Sequence, residues 1–194
     1  ESRDWQGDAG QSEPWWHQES GAKYSSQRQG EVRPAGVRAL LLYPMNALVD
    51  DQMSRLRRAL ASKGAVDWLN NNRQGHRFYF GRYNGATPIP GSRSPDSPGM
   101  TVKHKRLKEK LALFEEHSTL AREIDAKEGR SEGDKIEYFF PSVDGPEMRS
   151  RWDMQDAPPD ILITNFSMLS VMLMRQQDEP IFSETRKYIQ GGGV

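Results

Sequence analysis

The run Ala39–Tyr43, ALLLY, is the longest apolar stretch in the chain, and it stops at Pro44, after which Asn46 opens a charged, helix-patterned segment. Asp160–Thr164, DILIT, repeats the arrangement: a short apolar strand, the polar turn Asn165-Phe166-Ser167, then Met168, Leu169, Met172 and Leu173 at helical spacing. A strand with no polar alternation expects cover on both faces, as in a parallel sheet flanked by helices. The fold class read from these two units is therefore α/β, a parallel sheet with flanking helices. In an open parallel sheet the strands point one way, so both turns would share the carboxyl edge, where such sheets hold ligands.

The rest of the chain divides by composition. Residues 1–36 are polar and rich in Gly, Ser, Gln and Glu, with Trp5, Trp15 and Trp16 as apolar anchors, and read as a largely irregular segment with one tryptophan docked on the domain. Residues 37–100 hold the strand Val37–Tyr43 and a helix over Asn46–Ser62, with Leu48, Met53, Leu56 and Leu60 at helical spacing, Asp50 and Asp51 in its first turn and Gly64 as its stop. A second strand, Arg77–Tyr83, and a Gly/Pro loop over 84–100 follow. Residues 101–159 read as an insertion: a long helix over Thr101–Lys127 with Leu107, Leu111, Phe114, Leu120 and Ile124 on one side, then a turn-rich stretch with a short strand at Ile136–Phe140. Residues 160–194 carry the third strand, its helix, and a further helix over Ile181–Tyr188.

Composition limits what the chain can do. Hydrophobic residues make up 35% of 194, and mean hydropathy is −0.83, so the core is small for the length. The 27 basic and 27 acidic residues balance, so any attraction for nucleic acid has to be local. With no cysteine there are no disulfides or thiolate metal sites, which fits a reducing, cytoplasmic setting. No apolar run is long enough to predict a membrane span. His17, His76, His104 and His117 lack metal-ligand spacing, so no metal and no catalytic residue is expected.

Two readings stand for the turn residues. Asn46 and Asn165 suit N-caps. They also suit phosphate contacts, since a helix start presents unpaired N–H groups and partial positive charge. The basic run Lys103–Lys110, with Lys103, Lys105 and Arg106, is either a solvated helix face or an added electrostatic contact. Arg149 and Arg151 are further candidates for a phosphate, and Trp152 for a base or, more in keeping with large aromatics, for burial.

Taken together, ALLLYPMNALVDDQMSRLRRAL, GRYNGATP and PPDILITNFSMLSVMLMR resemble, in order, motif Ia and the next two motifs on the first RecA-like lobe of superfamily 2 DEAD/DEAH-box helicases. The Pro-Met-Asn variant and the Thr-Asn-Phe-Ser-Met-Leu run are most similar to the large helicases of the Lhr and MrfA types, the helicase subunit of the DISARM anti-phage system among them. The resemblance covers Val37–Arg175. It implies an ATP-dependent helicase or translocase in which Pro44, Met45, Asn46, Gly81, Arg82, Gly85, Thr164 and Asn165 hold one strand of nucleic acid by its phosphates, DNA favoured over RNA. It also implies the remaining helicase lobes, and other defence-system subunits, as partners. ATP and Mg²⁺ would sit between this lobe and a second one.

The sequence also departs from that family. Met45 and Asn46 replace a commoner threonine-containing turn. The run G-x-x-x-x-G-K-[ST] that cradles ATP phosphates is missing. The acidic runs VDDQ (49–52) and FEEHS (114–118) fall in helix patterns and not at the end of an apolar strand, where Mg²⁺ and the attacking water would need them. The expectation is an internal piece of a longer helicase, unable by itself to bind or hydrolyse ATP. The alternatives are a stand-alone, non-catalytic α/β nucleic-acid-binding module and, less consistent with the missing phosphate loop, a nucleotide-binding transferase.

Overall fold

The computed structural model describes residues 14–18, 23–28, 33–44, 46–73, 75–91, 93 and 100–191, with the side chains of Asn46 and Ala47 outside that description. Met45 and Trp5 lie outside it as well. The elements are β1 (Ala39–Tyr43), α1 (Asn46–Leu60), α2 (Lys63–Arg73), β2 (Phe80–Arg82), α3 (Met100–Glu128), α4 (Arg151–Asp156), β3 (Ile161–Asn165), α5 (Phe166–Met174) and α6 (Glu179–Gln190).

Three parallel strands form one sheet in the order β1-β3-β2. Of the described strands, the last in sequence is thus the central one. Side chains alternate across a strand, and β3 uses both of its faces. Ile163 packs with Val49, Met53 and Phe80 on one side. Leu162 packs with Tyr79, Tyr83, Met148, Met154, Met172 and Ile181 on the other. This central strand matches the expectation of cover on both faces. β1 does not: among the described residues it pairs only with β3, and Leu40 is 44% exposed. A continuous apolar run gave the same signal for an edge strand as for a central one.

A third apolar cluster lies apart from the sheet. Leu107 and Leu111 of α3 meet Trp15, Trp16, Ile89, Val143 and Trp152 there, so two N-terminal tryptophans dock instead of one. Trp16 Nε1 donates to Glu115 at 2.9 Å and Trp152 Nε1 to the Gly91 carbonyl at 3.2 Å, which satisfies the polar ends of two buried indoles. Ile89 holds a left-handed backbone (φ 57°), rare for a β-branched residue, with its side chain buried in this cluster. The 23–28 segment is strapped down by Gln27, whose amide donates to the carbonyls of Gly145 and Glu147 and accepts from the Arg149 N–H.

The structure corrects four local expectations. Gly64 does not stop the helical path, because α2 runs through it after a brief break at 61–62. Asp50 and Asp51 lie beyond the first turn of α1. Leu120 is 54% exposed, off the packed side of α3. Ile136–Phe139 is a 3₁₀ turn and not a strand, since the buried Asp125 carboxylate accepts the Ile136 and Glu137 N–H groups at 3.0 and 2.9 Å and curls the backbone.

Candidate nucleic-acid interface

Parallel pairing sets Tyr43 opposite Asn165 and Arg82 opposite Ile163. The exits of all three strands therefore lie along one edge, with neighbouring strands about 4.8 Å apart. Pro44 is exposed just past the end of β1, and the Tyr43 hydroxyl donates to Gln52 of α1 at 3.0 Å, tying the strand exit to the helix it feeds. At the end of β3, the Asn165 side chain accepts from the Met168 N–H at 2.7 Å. Asn165 is thus an N-cap, and it leaves the remaining first-turn N–H groups of α5 at the rim.

At the end of β2, the Arg82 guanidinium pairs with Asp50 of α1. The Arg82 side chain is 18% exposed and that of Asp50 is 69% exposed. The chain then turns through Asn84–Thr87. The Asn84 N–H donates to Thr87 Oγ1 (2.9 Å), Thr87 N–H to the Asn84 carbonyl (3.2 Å) and Ala86 N–H to Asn84 Oδ1 (3.0 Å). Gly85 sits exposed within this turn, with nothing within 4 Å of where a Cβ would stand. A side chain would be accommodated there, so Gly85 is not required by packing.

Three of the residues singled out from sequence point inward. The Thr164 hydroxyl is fully buried and donates to the Tyr83 carbonyl at 2.7 Å. A Cβ on Gly81 would lie 2.9 Å from both Met148 Cβ and Met154 Sδ, so Gly81 is there for close packing. Arg151 is buried with its guanidinium 4.9 Å over the Tyr83 ring, donating to the Asn84 carbonyl at 2.5 Å. All three positions lie inside the protein behind the rim. The Tyr83 phenol is held above its ordinary pKa by burial and then by its hydrogen bond to Asp178, so it stays protonated and donates to that carboxylate.

Arg149 joins the rim from the 101–159 segment. It lines a narrow cleft with Arg82, Thr87, Pro88, Pro141 and Met148. Its Nε donates to the Val143 carbonyl at 2.8 Å and its guanidinium lies 4.6 Å over the Trp16 ring. The basic run of α3 belongs elsewhere, on the helix that packs in the tryptophan cluster. There Lys105 and Arg106 are exposed, Lys105 pairs with Glu109 at 3.9 Å, and Lys103 is half-buried beside Gly91. Burial, and Lys108 nearby, hold the His104 imidazole below its usual pKa, so it adds no charge to this run at neutral pH.

The three strands end in Tyr43, Arg82 and Asn165, so none supplies a carboxylate at its tip. Asp50 is paired with Arg82, Asp51 with Arg55 at 2.9 Å, and Glu115 with Trp16 and His17. Among the described residues, no group of three or more His, Asp or Glu could hold a metal ion, and no helix is long and apolar enough to cross a membrane.

No family model matches this chain, and no solved structure matches it. The chain is 32% identical to Druantia protein DruE from Escherichia coli (strain UMEA 4076-1), in an alignment covering 86% of this chain and 10% of that protein. The chain thus spans about a tenth of the length of the curated relative it matches.

Proposed function

We propose that this chain is part of the first RecA-like lobe of a superfamily 2 nucleic-acid motor in an anti-phage defence protein. In this reading its carboxyl rim holds the phosphates of a single strand. The observation that carries the proposal is the parallel pairing of β1 with β3, Tyr43 opposite Asn165, which brings the two strand–turn–helix junctions to one edge. The motif order from Val37 to Arg175 supports the motor class, and the likeness to Druantia protein DruE supports the defence setting, with other defence subunits as partners. Pro44, Arg82, Gly85 and Asn165 line the track, Arg149 extends it, and Gly81, Thr164 and Arg151 hold its shape. DNA is the favoured strand, and ATP is bound by residues other than those of this chain.

Phosphate contact by such a rim is sequence-independent and salt-dependent. Each neutralised phosphate adds about −0.7 to the slope of log affinity against log salt for a single strand. In the intact protein, Arg82→Ala should weaken binding to an oligothymidylate and make that slope shallower by about 0.7. Asp50→Asn should act oppositely, tightening binding several-fold at low salt, because a phosphate need no longer displace a carboxylate from Arg82. Fluorescence anisotropy across a salt series measures both. An unchanged slope for Arg82→Ala together with unchanged affinity for Asp50→Asn would overturn the rim assignment.

A further inference from the structure

Arg82 pairs with Asp50 and Glu147 with Arg57, whereas Arg149, in the same cleft as Arg82 and Glu147, pairs with no carboxylate among the described residues. Arg149 is half-buried, and three groups fix it. Its Nε donates to the Val143 carbonyl at 2.8 Å. Its backbone N–H donates to Gln27 Oε1 at 3.0 Å. Its guanidinium carbon lies 4.6 Å from the centre of the Trp16 ring. Two of these three groups come from the N-terminal segment, and Gln27 stands 122 positions earlier in the chain. Neither terminal nitrogen of the guanidinium has a hydrogen-bond partner among the described residues.

Trp16 is itself firmly held. It is buried, its Nε1 donates to Glu115 of α3 at 2.9 Å, and its ring meets that of Trp15 edge to face with centroids 6.0 Å apart. An indole fixed in this way offers a guanidinium a rigid π-face, and the attraction strengthens where water is partly excluded. An arginine without such a support has many rotamers, and binding an anion then costs the entropy of ordering them. We infer that Trp16 is a positioning residue for the rim, holding the Arg149 guanidinium ready with its terminal nitrogens open to a phosphate. The inference rests on the rim reading above and deepens it. It gives the segment around Trp16 and Gln27 a part in gripping the strand that packing of the tryptophan cluster alone does not require.

The test uses the intact protein and an oligothymidylate, with anisotropy read across a salt series and urea unfolding of each variant as the check on folding. Arg149→Gln should weaken binding and make the salt slope shallower by about 0.7. Trp16→Leu keeps an apolar side chain but removes the π-face, and it should weaken binding roughly 2- to 10-fold at low salt. Trp16→Phe restores a face and should recover much of that loss. In the Arg149→Gln background, Trp16→Leu should have no further effect on affinity, because the two residues act as one. A role confined to packing gives the opposite pattern: Trp16→Leu and Trp16→Phe bind alike, or the leucine costs the same in both backgrounds. Either result overturns the inference. Should Trp16→Leu not fold, a trifluorinated tryptophan at position 16, which keeps the ring's shape and drains its negative face, takes its place in both backgrounds. An unchanged slope for Arg82→Ala marks failure of the rim reading itself. An unchanged slope for Arg149→Gln beside a shallower one for Arg82→Ala overturns the role of Trp16 and leaves the rim reading standing.

Discussion

Asp160→Ala is expected to cost about 3–5 kcal/mol of folding stability, enough to leave much of the protein unfolded near physiological temperature. The Asp160 carboxylate is 1% exposed. It takes two hydrogen bonds from Arg33, at 2.7 and 3.1 Å, another from Arg38, and the backbone N–H of Tyr79 at 2.8 Å. Its own carbonyl accepts the N–H groups of Arg38 and Ala39 at 2.8 and 2.9 Å. One acid thus fastens the lead-ins to all three strands: residues just before β1, just before β2, and its own position before β3. Removing it strands the buried Tyr79 N–H and two half-buried guanidinium groups. Arg33 and Arg38 keep some access to water, which holds the loss to the lower part of that range. Asp160→Asn should lose less, because an amide oxygen still accepts from Tyr79. Urea unfolding followed by circular dichroism measures the series. Equal stability of wild type and alanine variant would show that the three lead-ins are held by something else.

Glu147→Ala is expected to be about as damaging, by about 3–5 kcal/mol. Arg57 of α1 reaches Glu147 through two bonds, Nε at 2.6 Å and a terminal nitrogen at 2.7 Å, and its other terminal nitrogen donates to the Tyr138 carbonyl at 3.1 Å. Both side chains are more than nine-tenths buried. Truncating the acid leaves an uncompensated guanidinium inside the protein. Replacing both partners by apolar residues of similar size, Arg57→Met with Glu147→Leu, removes the charge and its desolvation cost together. That double variant should unfold much nearer to wild type than Glu147→Ala alone. If the double variant is no better than the single, the pair acts through shape and not charge. This pair joins the rim's helix α1 to the 101–159 segment, so thermal unfolding of Glu147→Ala should loosen Arg149 as well.

Local patterning was enough to find much of the fold. Unbroken apolar runs ending in a polar turn located β1 and β3, and their common direction followed from the parallel-sheet argument. Periodic leucines located α3, and Asn165 was legible as a cap because its side chain is short and sits at the helix start. What stayed hidden depends on partners far apart in the chain. Arg77–Tyr83 shortened to Phe80–Arg82, because only those residues pair with β3. Nothing near residue 160 announces that Arg33, Arg38 and Tyr79 will meet there. Ile136–Phe139 has strand composition, but a carboxylate on α3 decides its shape. α2 was missed because a single buried residue, Leu69, gives almost no periodic signal. Among the candidate site residues, Arg82, Asn165 and Pro44 come to one edge, whereas the burial of Thr164, Gly81 and Arg151 reflects Tyr83, Met148 and Met154, which no spacing rule connects to them.

The position of β3 also governs how the molecule is made. Among the described residues β1 and β2 do not bond to each other, and each pairs with β3, which follows both in the sequence. Until residues up to Asn165 have been added, β1 and β2 lack this shared partner, and such non-local pairing slows assembly and invites mispairing. Pairing of β1 and of β2 should therefore wait for β3, and the two should join it together.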